Sequence, residues 1–142
     1  MIKNKEAFIK SVTHKLTDVA DRNIRRALYK SGMLVKNEAV QSILRGPHTG
    51  ALVKKYNPAR THLTSAAGET PASDTGLLAS SIASEVVKEG NSFVGQVKAA
   101  AEYAKPLEYG TVNMAARPFL RPALTKNKEK ILKIFRKEGI IT

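Results

Sequence analysis

The chain has 142 residues, with 24 Lys and Arg against 12 Asp and Glu, and no cysteine or tryptophan. One domain of this size buries roughly two-thirds of its unfolded surface and folds to about 7,000 Å² of accessible area, so it needs no covalent staples. The missing cysteines exclude disulfide scaffolds, thiolate metal sites and cysteine nucleophiles; no apolar run approaches the roughly 20 residues of a membrane span, and the opening Met1-Ile2-Lys3-Asn4-Lys5-Glu6 leads into no apolar segment of a secretory signal.

The net charge is +12, which points to nucleic acid, a membrane surface or an acidic partner. The charge is unevenly spread. Residues 1–60 carry +9, residues 61–108 carry −3 and residues 109–142 carry +6. Two basic ends around an acidic middle suit a protein with surfaces of opposite sign, such as one that contacts copies of itself.

Residues 5–45 read as a helix, because Phe8, Ile9, Val12, Leu16, Val19, Ile24, Leu28, Val35, Ala39, Ile43 and neighbouring apolar residues recur mostly at steps of three or four. Asp18 or Asp21 is the candidate cap of a second helix if the rod breaks near Thr17, and Gly32 marks either a bend or close packing. A continuous rod of about 40 residues is about 60 Å long, longer than its own domain is wide, and needs something else to bury its face. Gly46-Pro47 stops the helix. Residues 46–72 read as an extended basic loop without periodicity, carrying Lys54, Lys55 and Arg60.

Ser73 or Asp74 is placed to cap a short helix running to about Ser81. Residues 82–89 and the run Phe93 to Val97 read as two strands joined by Gly90-Asn91, with Gly95 a candidate bulge. Pro106 and Gly110 suit the first turn and the end of another short helix. A last helix follows Arg117 and runs to about Glu138, with Pro122 in its first turn and an apolar stripe of Ile131, Leu132, Ile134 and Phe135. The expected fold is one α+β domain over residues 1–142: a long amphipathic N-terminal helix, a small antiparallel sheet with a hairpin, and a C-terminal helix packed on the sheet.

Catalytic signals are weak. His14 reads as an exposed helix residue, while His48 and His62 share the loop with only Glu69 and Asp74 near in sequence, short of a metal-ligand pattern. No nucleophile elbow and no Gly-rich phosphate loop occurs. The chain is therefore not expected to be an enzyme or to need a cofactor or metal. Lys15, Arg22, Arg25, Arg26 and Lys30 cluster on the first helix and can neutralise phosphates. Aromatic residues are only 6%, so no stacking platform for single strands is present, and no sequence-specific DNA-binding motif occurs.

Two segments carry a resemblance. One is Pro71-Ala72-Ser73-Asp74-Thr75-Gly76-Leu77-Leu78-Ala79-Ser80-Ser81-Ile82; the other is Tyr103-Ala104-x-x-Leu107-Glu108-Tyr109-Gly110-Thr111, followed by Arg117-Pro118-Phe119-Leu120-Arg121-Pro122-Ala123-Leu124. In this order they resemble the head–tail joining family of long-tailed phages, typified by the gene-ten-like minor tail component of HK-ninety-seven-type phages and related to lambda-like tail-completion proteins. The resemblance implies a structural virion protein of the neck, made in the host cytoplasm. It implies a ring of copies, six- or twelve-fold related, with adaptor or head-closure proteins on the head side and the tail terminator or tail tube on the other. Double-stranded DNA passes through such a ring, and no membrane is involved.

In that reading the motif residues Asp74, Thr75, Gly76, Leu77, Ile82, Tyr103, Ala104, Glu108, Gly110, Thr111, Arg117, Pro118, Phe119, Pro122 and Ala123 mark the fold more than a ligand site. Glu108 is placed to cap a helix or to bridge to Arg117. Lys15, Arg22, Arg25, Arg26, Lys30, Lys54, Lys55 and Arg60 are the candidates to face DNA or an acidic partner. The alternative function is a stand-alone nonspecific double-stranded DNA-binding protein.

Overall fold

The helical periodicity that starts at residue 5 yields one unbroken helix. In the computed structural model, which describes residues 5–142, α1 runs from Lys5 to Arg45. Met1 to Asn4, the start of the segment read for a secretory signal, lie outside the described residues. No break forms near Thr17, and Asp18 and Asp21 stay inside the helix rather than capping a second one. The physical reason is that neither Gly nor Pro interrupts α1 before Gly32. Asp18 instead pairs with His14 one turn earlier, at 2.9 Å, and Thr17 donates its hydroxyl to the Thr13 carbonyl at 2.9 Å.

Only the second half of α1 is packed. Ala27, Ser31, Val35, Ala39 and Ile43 form a buried row at steps of four. From residue 5 to residue 20 every side chain is exposed. The 41 residues of α1 span about 62 Å, against roughly 37 Å for the width of a compact chain of this length.

After α1 the chain forms a hairpin of β1 (Leu52–Tyr56) and β2 (Ala59–Leu63), antiparallel in the register Leu52↔Leu63 to Tyr56↔Ala59. This corrects the expectation of an extended loop over residues 46–72. The strands escape sequence reading because the residues on their partly covered face, Lys55, Arg60 and His62, are polar while Leu52, Val53 and Leu63 are exposed, so no apolar period of two marks them. Next come α2 (Leu77–Ser80), β3 (Ile82–Glu89), β4 (Ser92–Ala99), α3 (Ala104–Tyr109) and α4 (Leu120–Lys137). β3 and β4 pair without interruption from Ile82↔Ala99 to Glu89↔Ser92, so Gly95 is no bulge. It is small because α1 lies against it: a Cβ there would meet Leu28 Cδ2 at 3.3 Å.

The core lies where the second half of α1, the β3–β4 hairpin and the start of α4 meet. It contains Val35, Ala39, Ile43, Leu78, Ala79, Ile82, Ala104, Phe119 and Ala123. The fold is α+β, with two two-stranded antiparallel sheets rather than one. Gly32 neither bends nor ends α1. It lets the helix approach β3 so closely that a Cβ would collide with the Ser84 hydroxyl. Gly32→Ala is therefore expected to destabilise by about 1–3 kcal/mol through overpacking, although alanine gains up to about 1 kcal/mol of helix propensity. Urea unfolding checks the sign; a stabilised variant would show that Ser84 gives way.

Candidate functional site

The motif residues build joints. Asp74 does not cap α2, whose N-cap is Gly76 in the left-handed region at φ 78° with no side-chain cap. Nor does Ser73 provide one. Asp74 instead binds the hairpin: Arg60 donates Nε to Oδ1 at 2.8 Å and Nη2 to Oδ2 at 3.0 Å, and Lys55 adds a further ion pair. His62 Nδ1 lies 3.9 Å from the same carboxylate. These cations, Arg60 foremost, hold the Asp74 carboxyl far below the usual carboxylate range. A capping Asp is the commoner local pattern, but the bidentate guanidinium, 14 residues away in sequence, outcompetes two backbone amides here. Thr75 accepts the Leu77 amide at 3.4 Å, and the Leu77 side chain is exposed.

Glu69 is a second joint; the sequence offered it only as a carboxyl near Asp74, His48 and His62, and it pairs with none of them. Its carboxylate accepts the Thr49 hydroxyl, the Thr49 amide at 2.9 Å and the Ala66 amide at 2.8 Å. The Thr49 bonds, helped by the Ala66 amide, draw its pKa from 4.5 down to about 2. Glu69 and Asp74 thus anchor the two ends of the β1–β2 insertion by charge and hydrogen bonds. Both carboxyls have folded pKa values below their unfolded ones. The stability they supply is present above about pH 4.5 and is lost as the pH falls toward about 2. Asp74→Asn combined with Glu69→Gln should flatten the fall of Tm over that window, and a wild-type slope in the double variant would refute the assignment.

Glu108 is the third joint. From α3 it accepts the amides of Phe119, Leu120 and Arg121 at 2.8, 3.0 and 2.9 Å. Of its two anticipated roles the structure shows the cap; Arg117 instead donates its amide to the Leu107 carbonyl at 2.6 Å and its Nε to the Ala66 carbonyl at 3.4 Å. Gly110, at φ 75°, turns the chain where a Cβ would touch the Met114 carbonyl and the Ala116 amide, both at 2.9 Å. Thr111 bridges to Met114. Tyr103 stands at the N-cap of α3 and is exposed, and Pro118 and Pro122 flank the entry to α4. Ile82, Ala104, Phe119 and Ala123 are buried in the core.

The eight basic candidates do not form one surface. Lys15 and Arg22 are exposed on the first half of α1, and Lys54 is exposed on β1. Arg25 lies over the Phe93 ring, 5.5 Å from its centroid. Arg26 and Lys30 reach Glu138, just beyond α4, at 3.4 and 2.6 Å. Lys55 and Arg60 hold Asp74. Five of the eight are thus engaged within the chain. Among the described residues no group of His, Asp and Glu has the arrangement of a metal site, and no helix is long and apolar enough to cross a membrane.

What the chain leaves open is apolar. Phe8, Ile9, Val12, Leu16 and Val19 form an exposed stripe on the first four turns of α1. The periodicity marks these residues plainly; it cannot say that no part of this chain covers them. A groove of about 450 Å³ opens between α1 and α4 over β4, lined chiefly by apolar residues, among them Leu28, Val35, Leu124, Ile131 and Phe135. A second hollow, of about 500 Å³, lies around Asp74 and His62 and is more polar.

No curated protein and no solved structure matches this chain. The family described as "Bacteriophage HK97-gp10, putative tail-component" matches residues 6–110, which take in nearly all of α1, both hairpins, the Glu69 and Asp74 joints and Glu108 itself, though not the α4 amides that Glu108 holds. With well over half of its length matched, the chain belongs to the HK97-gp10-like family of phage tail components.

Proposed function

We propose that the protein is a neck or tail-completion subunit that joins the DNA-filled head to the tail, as a ring of copies around the DNA channel. Its neighbours are adaptor or head-closure proteins on one side and the tail terminator or tube on the other. The supporting observation is uncovered surface. The chain exposes 10115 Å², against about 7,000 Å² for a compact monomer of its mass. The difference, about 3,000 Å², falls within the range of obligate subunit interfaces. The role is structural rather than enzymatic: the perturbed carboxyls are consumed in joints, Asp74 by Arg60 and Lys55 and Glu69 by Thr49 and Ala66. Lys15 and Arg22 on the exposed part of α1 are the residues proposed to face DNA or an acidic neighbour.

Electron microscopy of particles with a tagged copy tests this. Density at the head–tail junction is expected; a protein found only in the cytosol or inside the capsid overturns the reading. A stand-alone DNA-binding protein would instead bind free duplex with a steep loss of affinity as salt rises. The engagement of Arg25, Arg26, Lys30, Lys55 and Arg60 within the chain weighs against it.

A further inference from the structure

The uncovered stripe and the uncovered groove belong to the same helix. Leu28, Ser31, Gly32 and Val35 of α1 line the groove, and Phe8 to Val19 lie farther along the same unbroken rod. An α-helix without a Pro or a break does not fold back on itself. The stripe therefore cannot reach the groove of its own chain. Each copy carries one unmatched convex apolar surface and one unmatched concave one.

The two also fit in kind. Ile9, Val12, Leu16 and Val19 follow the three-four spacing of a helix-packing seam. The groove offers what such a seam needs: an apolar lining of Leu28, Val35, Leu124, Ile131 and Phe135 between α1 and α4. Side chains at three-four spacing pack as ridges into a groove lined by such residues. The uncovered surface of about 3,000 Å² is of the size that two such contacts per subunit, one given and one received, would bury.

We propose that residues Phe8 to Val19 of one copy seat in the α1–β4–α4 groove of a second copy. Given head to tail, each copy inserting its stripe into the next, such a contact closes a ring when its rotation closes. This rests on the ring reading above and names the surfaces that make the ring. It also predicts an unusual response to salt. Copies carrying +12 repel one another, so screening strengthens an apolar self-contact, whereas it weakens a contact with DNA.

The test uses the purified full chain. Val12→Asp and Leu16→Asp alter exposed residues, so circular dichroism and Tm should remain those of the wild type. Light scattering after size exclusion should show the concentration for half-assembly raised at least about 100-fold in the double variant, as expected for two anchor residues. Leu124→Asp in the groove should do the same. Because the chain has no cysteine, Leu16→Cys and Leu124→Cys proteins can be mixed and oxidised; the expected product is the mixed 16–124 dimer. Three outcomes overturn the proposal: a wild-type chain that stays monomeric at its highest soluble concentration, arm variants that assemble like wild type, or oxidation that yields only 16–16 dimers. Assembly unaffected by the variants removes the arm contact and leaves a ring built by other surfaces. A protein absent from the head–tail junction removes the ring reading and leaves the cross-link as found.

Discussion

Phe119→Ala should cost about 3–5 kcal/mol of folding stability, the range for removing a buried aromatic ring. Phe119 is 1% exposed and lies in the one cluster that joins α1, α2, β3 and α4. Truncation leaves a cavity bordered by elements that cannot collapse into it independently, because Gly32 and Gly95 already hold α1 hard against the sheet. Since a domain of this size is stabilised by about 5–15 kcal/mol in all, the variant should be near half unfolded in mild denaturant. Urea titration should show a lower midpoint with an unchanged slope. Phe119→Leu, which keeps much of the volume, should cost no more than about 1–2 kcal/mol. Equal losses for the two variants would mean that the ring's shape, not its volume, matters.

Glu108→Ala is the second large effect, about 2–3 kcal/mol and a fall in Tm of roughly 6–12 °C. The start of a helix leaves four amide positions unpaired; here the fourth is Pro122, which has no N–H, and the carboxylate satisfies the other three. It does so from α3, 11 to 13 residues upstream, so it also fixes how α4 approaches the core. Its negative charge sits at the positive end of the α4 dipole. Losing it should expose the amides of residues 119–121 to hydrogen exchange before the rest of α4. Glu108→Gln keeps one acceptor oxygen and should lose less than half as much. Wild-type exchange at these amides in Glu108→Ala would sink the assignment.

Legibility in the sequence varied with the physics behind each element. α1, β3, β4, α3 and α4 form where periodicity and Gly or Pro punctuation place them, because each packs one face on the core and the core imposes its period. The β1–β2 hairpin covers only polar side chains, Lys55, Arg60 and His62, and left no apolar pattern. Asp74 followed a local capping rule in sequence and a tertiary ion pair in space. Nothing near Asp74 reveals Arg60, because side chains that approach through a hairpin have no fixed spacing along the chain. The Glu108 cap was legible only as one of two options, since the choice between Arg117 and the α4 amides depends on where α3 ends. Glu69 was legible only as a carboxyl near Asp74 and the loop histidines, because its partner Thr49 is brought to it by the hairpin.

The charge that first drew attention now divides into parts with different work. Arg25, Arg26, Lys30, Lys55 and Arg60 serve contacts inside the chain, and Lys15, Arg22 and Lys54 stand out in solvent. The sequence by itself determined the long helix, its apolar stripe, the α+β class and the motif order, because these depend on local period and on turn-forming residues. Only the tertiary structure decided which apolar residues the chain can cover for itself. A buried stripe and an uncovered one have the same spacing, and what separates Val12 from Val35 is whether a sheet and a second helix lie within reach.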